Sequence, residues 1–354
     1  MAEELQTVAV QGKHATFNVH VQGNLDDRHN KTIILTVHDV GTNHKSFVRF
    51  VNHPSMADVK AKAIFLHICI PGQEDHASDF LGEFPTLAQL GEDLVVALDQ
   101  LDIRNCIAFG EGSGANIVCR FALAAPNRIM GIILVHCTST TAGIMEYFKD
   151  KLMNLRLESG VMTQGAWDYL AMHKFGSSEK KEREAYIEEL KSNLNPKNLS
   201  KYLFSFSKRT DLSTVIGAKL DNIDVLLVTG AKAPHLNTVY ATHKSMNKKR
   251  TTLLVVDNVS DVMAEAPENL ARSLILLCKG CGVLSGVSIP GMERQRTLSS
   301  SMEEADRPRR FSITQGNPQQ PVAQKLILSS FYSKWGVHSN FLTVASFICQ
   351  NEGF

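Results

Sequence analysis

A glycine-rich segment in the first half of the chain has the spacing of a catalytic turn. It reads Phe109-Gly-Glu-Gly112-Ser-Gly-Ala115 and follows the apolar run Asn105-Cys-Ile-Ala-Phe109. A strand that passes through G-x-S-x-G into a helix forms the nucleophile elbow of α/β-hydrolases, where a serine attacks a carbonyl carbon. Here the central residue is Gly112, which has no side chain with which to attack or to hold an acyl group. The segment therefore has the frame of an elbow without its nucleophile.

Three interpretations of this segment are open on the motif alone. The first is an elbow in which the backbone N–H of Ser113 lines an oxyanion hole, and the second is a plain glycine-rich turn. The third is a dinucleotide-binding loop, G-x-G-x-x-G, which fits Gly110 and Gly112 but has Ala115 where the third glycine would stand. That loop also requires the first strand of a βαβ unit and a later acidic residue, which this segment lacks.

The other members of a catalytic triad follow later strands of the same fold, so they provide an independent test. The acid follows the next sheet strand after a helical insertion, and the histidine follows the last strand. This register places Ala233 at the acid position and Ser260 at the base position. Loss of one triad member already removes most catalysis, and here all three are missing. We therefore predict that the chain is not an enzyme and that no base stands near Gly112.

A second loop, which follows an early strand, supplies the other oxyanion donor in hydrolases. It reads Val-His-Asp-Val-Gly over residues 37–41, and the Asp39 carboxylate would repel an oxyanion unless it turned away. We interpret His38 as a buried, hydrogen-bonded histidine. The two loops together predict a vestigial pocket formed by His38, Asp39, Gly41, Gly110, Gly112, Ser113 and Gly114. The alternative is an esterase-like hydrolase with displaced groups, in which His38 or His136 assists Ser113.

Short apolar runs alternate with helical patterns over most of the first 280 residues. Two runs at 7–10 and 16–21 predict an antiparallel hairpin. Near-continuous apolar runs predict strands that are buried on both faces at 32–37, 63–68, 105–109, 131–135, 224–229 and 251–256. The spacing of apolar residues predicts helices at 86–99, 115–124 and 267–279. Repeated units of this kind predict an α/β fold with a mostly parallel, doubly wound sheet.

The strand pattern stops between about residues 141 and 214. This stretch contains the charged helical segment Glu179–Leu190 and aromatic residues such as Trp167. It predicts an all-helical insertion, or cap. We therefore expect one α/β-hydrolase-like domain over residues 1–283, with the cap at about 141–214 inside it.

The composition is that of an ordinary soluble globular protein. Lys and Arg total 37 against 36 Asp and Glu, so a net charge of +1 gives no electrostatic reason to expect nucleic acid as a partner. No apolar run approaches the ~20 residues that cross a bilayer, so we expect no integral membrane association. The acidic N-terminus is unlike a secretory signal, and the cysteines fall mostly in apolar runs. We therefore expect a cytoplasmic protein.

The cysteines give little reason to expect a metal or a redox centre. There are seven, and only Cys278-Lys-Gly-Cys281 has the spacing of metal ligands. That pair lacks a second pair and follows a helical pattern. We predict no metal site and no cofactor.

The composition changes after residue 283. Residues 284–321 are rich in Ser, Arg, Pro, Gly and Gln, and we expect a disordered tail because so few apolar residues cannot form a core. Ser299 and Ser312 each follow arginines at the −5 and −3 positions, the spacing that basophilic AGC-type kinases recognise through acidic pockets. We predict phosphorylation at both serines. Residues 322–354 are apolar again, and docking on the domain, binding to a partner and a tail without a fold are all open for them.

Several longer motifs resemble the N-myc downstream-regulated (NDRG) family. They are Leu35-Thr-Val-His-Asp-Val-Gly-Thr-Asn-His-Lys-Ser46, Ile70-Pro-Gly-Gln-Glu74, Phe84-Pro-Thr-Leu-Ala-Gln-Leu90, Gly110-Glu-Gly-Ser-Gly-Ala115, Gly230-Ala-Lys-Ala-Pro-His235 and Met292-Glu-Arg-Gln-Arg-Thr297. The resemblance covers about residues 32–296. It implies an α/β-hydrolase fold without hydrolase activity, a helical cap and a phosphorylated tail. It also implies cytoplasmic roles in signalling, stress response, differentiation or trafficking, through binding of signalling or trafficking proteins or of a ligand.

Overall fold

A mostly parallel sheet is the centre of the protein. The structure is a computed structural model that describes residues 5–141, 164–176 and 180–290. The strands of these residues are β1 (Gln6–Gln11), β2 (Thr16–Gln22), β3 (Thr32–Val37), β4 (Ala63–Cys69), β5 (Cys106–Glu111), β6 (Ile129–Val135), β7 (Asp224–Gly230) and β8 (Thr251–Val256). They form one sheet in the order β1-β2-β4-β3-β5-β6-β7-β8. The pairs β1–β2 and β2–β4 are antiparallel, and the other neighbours are parallel.

Helices connect the parallel strands. Within the described residues they are α1 (Lys45–Val51), α2 (Ala57–Lys62), α3 (Leu87–Gln100), α4 (Ser113–Ala124), α5 (Gln164–Phe175), α6 (Lys180–Asn193), α7 (Pro196–Ser207), α8 (Ile216–Lys219), α9 (Leu236–Ser245), α10 (Val262–Glu265) and α11 (Pro267–Gly280). The predicted hairpin, the six predicted strands and the three predicted helices are all present. Their ends differ from the predicted ones by two residues or fewer.

Successive residues of the central strands pack into two separate cores. Ile34 of β3 joins a core with α1, α2 and α11, whereas its neighbour Leu35 joins a core with α3 and α4. Side chains alternate across a strand, so a strand that is apolar at every position must be covered on both faces. This arrangement confirms the doubly wound α/β sheet that the near-continuous apolar runs predicted.

Between β6 and β7 the described residues form helices and no strand. Helices α5, α6 and α7 belong to this insertion, which we call the cap. Trp167 and Leu170 of α5 and Tyr202 of α7 are buried in the same core as the strands beneath them. The chain turns into α7 at Asn195, whose side chain accepts hydrogen bonds from the first backbone N–H groups of the helix. The cap is therefore packed onto the end of the sheet at which β5 ends and α4 begins.

The sequence continues past the residues of this domain. The chain divides into two units, Met1–Glu293 and Arg294–Phe354, and all described residues belong to the first. The predicted phosphorylation sites Ser299 and Ser312 and the apolar segment 322–354 lie outside the described residues. Within the described residues, no helix combines the length and the apolar character needed to span a membrane.

Candidate functional site

The glycine-rich segment forms a sharp turn from β5 into α4. Strand β5 ends at Glu111, Gly112 has φ 54° and ψ −116°, and α4 begins at Ser113. This backbone conformation is one that residues with a side chain rarely adopt. A Cβ on Gly114 would collide with the backbone of Val37, so that glycine allows α4 to approach the sheet closely. The segment therefore has the geometry of a nucleophile elbow, with Gly112 at its apex.

The carboxylate of Asp39 lies where the side chain of a nucleophile would be. A Cβ built on Gly112 would overlap the carboxylate carbon and both carboxylate oxygens of Asp39. One of these oxygens, Oδ1, accepts hydrogen bonds from the backbone N–H groups of Ser113 at 2.8 Å and Val40 at 2.7 Å. These N–H groups come from the residue after the apex and from the loop after β3, the two sources of an oxyanion hole. Asp39 therefore does not turn away but fills the hole itself.

A histidine of the cap pairs with the other oxygen of this carboxylate. His173 Nε2 lies 2.9 Å from Asp39 Oδ2, and His173 Nδ1 lies 3.1 Å from His235 Nε2. Burial alone would raise the pKa of Asp39, but the charge of His173 and the backbone hydrogen bonds hold it well below its usual range. Burial, together with the charge of His173, lowers the pKa of His235 to about 3, so His235 is neutral. The prediction that no base stands near Gly112 is therefore wrong, because α5 supplies His173.

Ser113 is held within the same network. Its side chain is fully buried, and its hydroxyl donates to Asp39 Oδ1 at 2.9 Å and lies 2.7 Å from the hydroxyl of Tyr202. In the chain this serine stands one position after the apex residue Gly112. It points to the same carboxylate, but as a donor to a group that is already ionised. Among the described residues, the partners of this hydroxyl are Asp39 and Tyr202, and neither His173 nor His235 hydrogen-bonds to it.

The two histidines of the displaced-hydrolase alternative do not contact Ser113. His38 Nδ1 donates to the carbonyl of Asp39 at 2.8 Å, and its Nε2 accepts from the backbone N–H of Ile70 at 3.0 Å. His136 Nδ1 lies 3.1 Å from the hydroxyl of Thr229. Burial lowers the pKa of each histidine to about 4, so both are neutral. His38 is thus the buried, hydrogen-bonded histidine that the sequence indicated.

The positions assigned to the acid and the base come together without any charged group of their own. Ala233 is buried in the turn after β7, where its N–H donates to the carbonyl of Gly230. Ser260 is buried in the turn after β8, and its hydroxyl donates to the carbonyl of Lys232 at 3.2 Å. The two turns are therefore neighbours, as they would be in a hydrolase. Neither residue can act as the acid or the base of a triad.

A buried cation and two carboxylates lie beside the elbow. Lys174 Nζ lies 3.0 Å from Glu111 Oε1 and 3.0 Å from Asp261 Oδ2, and all three side chains are at most 13% exposed. Burial alone would lower the pKa of Lys174, but the charges of Asp261 and Glu111 raise it well above its ordinary value. Burial raises the pKa of Glu111 to about 7, although Lys174 opposes the shift. Because Lys174 follows His173, one turn of α5 brings both side chains to the carboxylates of the site.

Little space is left where the cap meets the loop after β3. Tyr186 of α6 donates its hydroxyl to the carbonyl of Gly41 at 2.8 Å. Beside this contact is a cavity of about 30 Å³ whose lining includes Gly41, Tyr186 and Asn193. Such a volume holds a water molecule or two. The predicted pocket residues therefore come together, but the Asp39 carboxylate fills the place of the attacking group.

Solved structures that share this fold include hydrolytic enzymes. A thermophilic esterase from Thermogutta terrifontis matches with a TM-score of 0.64 at 14% identity, over 78% of this chain and 99% of that chain. An enol-lactonase from Burkholderia xenovorans LB400 matches with a TM-score of 0.61 at 15% identity, over 77% of this chain and 100% of that chain. The chain therefore has the α/β-hydrolase fold, as predicted. Likeness at this level of identity concerns the fold alone.

Sequence comparison decides the family. The model of the Ndr family matches residues 7–285. The chain belongs to the Ndr family. A Caenorhabditis elegans protein, "Uncharacterized protein ZK1073.1", is 71% identical over 314 residues, which are 88% of this chain and 96% of that protein. "Protein NDRG3" of Xenopus laevis is 28% identical over 299 residues, 80% of this chain and 78% of that protein. The resemblance to the NDRG family that the motifs indicated is thus confirmed.

Sequence reasoning missed the cap's part in the site. His173 and Lys174 of α5 and Tyr202 of α7 are 60 to 90 residues from the elbow in the chain, and no motif surrounds them. Sequence reasoning could have identified Glu111 and Asp261, because Glu111 is part of the glycine-rich motif and Asp261 is next to the base position. A charged residue inside an otherwise apolar strand end, as at Glu111, indicates a buried ion pair whose partner the sequence does not name.

Gly112→Ser should destabilise the protein because the new Cβ overlaps the Asp39 carboxylate. We expect the free energy of unfolding to fall by about 3 kcal/mol or more, from steric overlap and the positive φ of residue 112. Asp39→Ala removes the overlapping atoms, so the double variant should be less destabilised than the sum of the two single variants. Urea denaturation of all four proteins measures this coupling. As a control, Gly112→Ser is combined with Asp75→Ala, and these two changes in the free energy of unfolding should add. Additivity of Gly112→Ser with Asp39→Ala would contradict the overlap.

The contribution of Glu111 to the free energy of unfolding should fall as pH rises. Its pKa is raised from 4.5 in the unfolded chain to about 7 in the fold, chiefly by burial. The stabilisation linked to its proton is present below pH 4.5 and is lost as pH rises through about 7. Glu111→Gln removes this titration, so between about pH 5 and pH 7 the wild type should lose on the order of 2 kcal/mol more than the variant. Urea denaturation at both pH values measures this difference, and Glu268→Gln on the exposed surface of α11 is the control. An equal change in the free energy of unfolding with pH in the wild type and in Glu111→Gln would contradict the prediction.

Proposed function

We propose that this chain is a catalytically inactive member of the α/β-hydrolase fold that acts by binding other molecules in cytoplasmic signal transduction. One observation carries the proposal. The Asp39 carboxylate takes the space of a nucleophilic side chain and accepts the N–H groups of Ser113 and Val40. An oxyanion hole stabilises catalysis only if it is empty when the negative charge develops. A permanent carboxylate in that hole excludes the charge of a tetrahedral intermediate.

Two further observations support a binding role in the cytoplasm. The last turn of α5 inserts His173 and Lys174 between the cap and the sheet, which makes the cap part of the folded domain rather than a lid over a cleft. The described cysteines Cys69, Cys106, Cys119, Cys137, Cys278 and Cys281 are all free thiols. Free buried thiols are usual in a reducing compartment. Signalling, stress-response, differentiation or trafficking proteins are the partners that the NDRG resemblance implies.

We also propose that phosphorylation of the tail regulates this binding. Ser299 and Ser312 each have arginines at −5 and −3, and each phosphate would add about −1.5 to −2 charge to a basic segment. Such a change can create a site for an arginine-lined reader. A basophilic AGC-type kinase is the enzyme class that fits this spacing.

A fluorophosphonate probe and a panel of nitrophenyl esters test the inactivity of the domain. We expect no covalent labelling of Ser113 and no ester turnover that Ser113→Ala removes, because the hydroxyl is buried and hydrogen-bonded to a carboxylate. An active serine esterase treated in parallel is the positive control. Labelling of the wild type that disappears in Ser113→Ala would favour the displaced-hydrolase alternative and overturn the proposal.

Incubation of the full chain with a basophilic AGC-type kinase and ATP tests the regulation. Mass spectrometry should find phosphate on Ser299 and Ser312, and Arg296→Ala should reduce it on Ser299 at least about tenfold, because a bidentate guanidinium contact is lost. Ser301 is a matched internal control, since it has Arg296 at −5 but Leu298 at −3. Equal phosphorylation of Ser301, or none on either predicted serine, would refute the spacing argument.

A further inference from the structure

Three metal-binding side chains meet at the antiparallel side of the sheet, away from the elbow. They are His20 of β2, His44 just before α1, and Cys69 at the end of β4. One donor atom from each lies within 4.8 Å of the other two. Strands β2 and β4 pair so that Asn18 faces Cys69 and His20 faces His67, which puts His20 diagonally next to Cys69 on one face. The loop before α1 then brings His44 onto that face.

Two ring nitrogens of this cluster are buried and have no hydrogen-bond partner among the residues that the structure describes. They are His20 Nε2 and His44 Nδ1. The other nitrogen of His20, Nδ1, lies 3.0 Å from the hydroxyl of Thr7, which leaves Nε2 as the nitrogen for a ligand. Burial of a polar atom with no partner costs about 1–3 kcal/mol, so two such atoms in one cluster call for a ligand. Their rings are stacked, with centroids 3.5 Å apart, so the two imidazoles are neighbours and one must turn before both direct a nitrogen at one ion.

The third donor has a proton acceptor beside it. Cys69 is fully buried, and it lies within hydrogen-bonding distance of the Glu74 carboxylate and of the backbone N–H of His44. Asn18 Nδ2 donates to Glu74 Oε1 at 3.0 Å and so holds that carboxylate in place. A thiol must lose its proton to bind a metal. Glu74 also lines an open groove of about 420 Å³, so a thiol proton that a metal ion displaces has a route from this cluster to water.

We propose that His20, His44 and Cys69 form a zinc site of this chain, with the fourth position on the side of Glu74. Two imidazoles and a thiolate are a ligand set of Zn²⁺, whereas Mg²⁺ and Ca²⁺ take oxygen ligands. Zn²⁺ replaces the thiol proton, and Glu74 or a water molecule completes four ligands. Bond lengths of roughly 2.0–2.3 Å around Zn²⁺ require the donor atoms to approach by about 1 Å, which rotation of the side chains supplies.

The site would tie two parts of the domain together. His20 and Cys69 belong to paired strands, but His44 belongs to the connection from β3 to α1, whose first residues include Asp39. A metal bound to all three fastens that connection to the sheet. Binding to the folded chain alone then raises its thermal stability.

Cobalt titration of the full chain tests the site. The protein is freed of metal with a chelator and titrated with Co²⁺, which gives a thiolate charge-transfer band in the near ultraviolet, and Zn²⁺ is then added as a competitor. We expect one Co²⁺ per chain, displacement by Zn²⁺ and a higher melting temperature with Zn²⁺. Cys69→Ser should abolish the band. His20→Gln should weaken binding more than about 100-fold, since even outer-shell changes cost 10–100-fold.

Controls separate this site from other ligands of the chain. Cys281→Ser removes a cysteine of the spaced pair at 278–281, and His29→Gln removes an exposed histidine, so neither should change the band. His20→Gln lies on a half-buried strand position and serves if Cys69→Ser fails to fold, as circular dichroism without metal will show. No band in the wild type would overturn the proposal. So would a band that persists in Cys69→Ser, or one that Cys281→Ser removes.

Discussion

The hydrogen bonds and the ion pair of the Asp39 carboxylate are the interactions on which the arrangement of the site depends. One oxygen accepts two backbone N–H groups and the Ser113 hydroxyl, and the other pairs with His173. A buried charge is costly unless its partners are many and well placed, and here they come from the loop after β3, the elbow and the cap. Each of these segments therefore holds its position partly because the same carboxylate needs it. The carboxylate thus links three segments of the domain to one another.

The cap contributes two side chains that pair with the carboxylates of the site. His173 and Lys174 are adjacent at the end of α5, where positive charge also interacts favourably with the helix dipole. His173 pairs with Asp39. Lys174 pairs with Glu111 at the end of β5 and with Asp261 in the turn after β8. In hydrolases of this fold the space beneath a cap receives the substrate. In this chain the last turn of α5 occupies it with charged side chains that are matched to the carboxylates below.

Much of the fold could be predicted from the sequence, but much of the site could not. The difference depends on how far apart in the chain the interacting residues are. Strands β3 to β8 are apolar at nearly every position, and the elbow is a local motif, so both are encoded over a few consecutive residues. The residue types at the three positions that the sequence assigns to a triad, Gly112, Ala233 and Ser260, are likewise read from short local segments. The partners of Asp39 could not be predicted in this way, because His173 and His235 meet it through the tertiary fold alone. His20, His44 and Cys69 are likewise about 25 residues apart, without a spacing that any short motif would include.

The overlap between the Asp39 carboxylate and residue 112 has a consequence for the changes that these two positions tolerate. While Asp39 is present, any side chain at the apex meets it, and while the apex is glycine, loss of Asp39 leaves the N–H groups of Val40 and Ser113 and the His173 ring without their acceptor. Each single substitution is therefore costly in the presence of the other native residue. Positions 39 and 112, which are 73 residues apart in the chain, can change only together without such a cost.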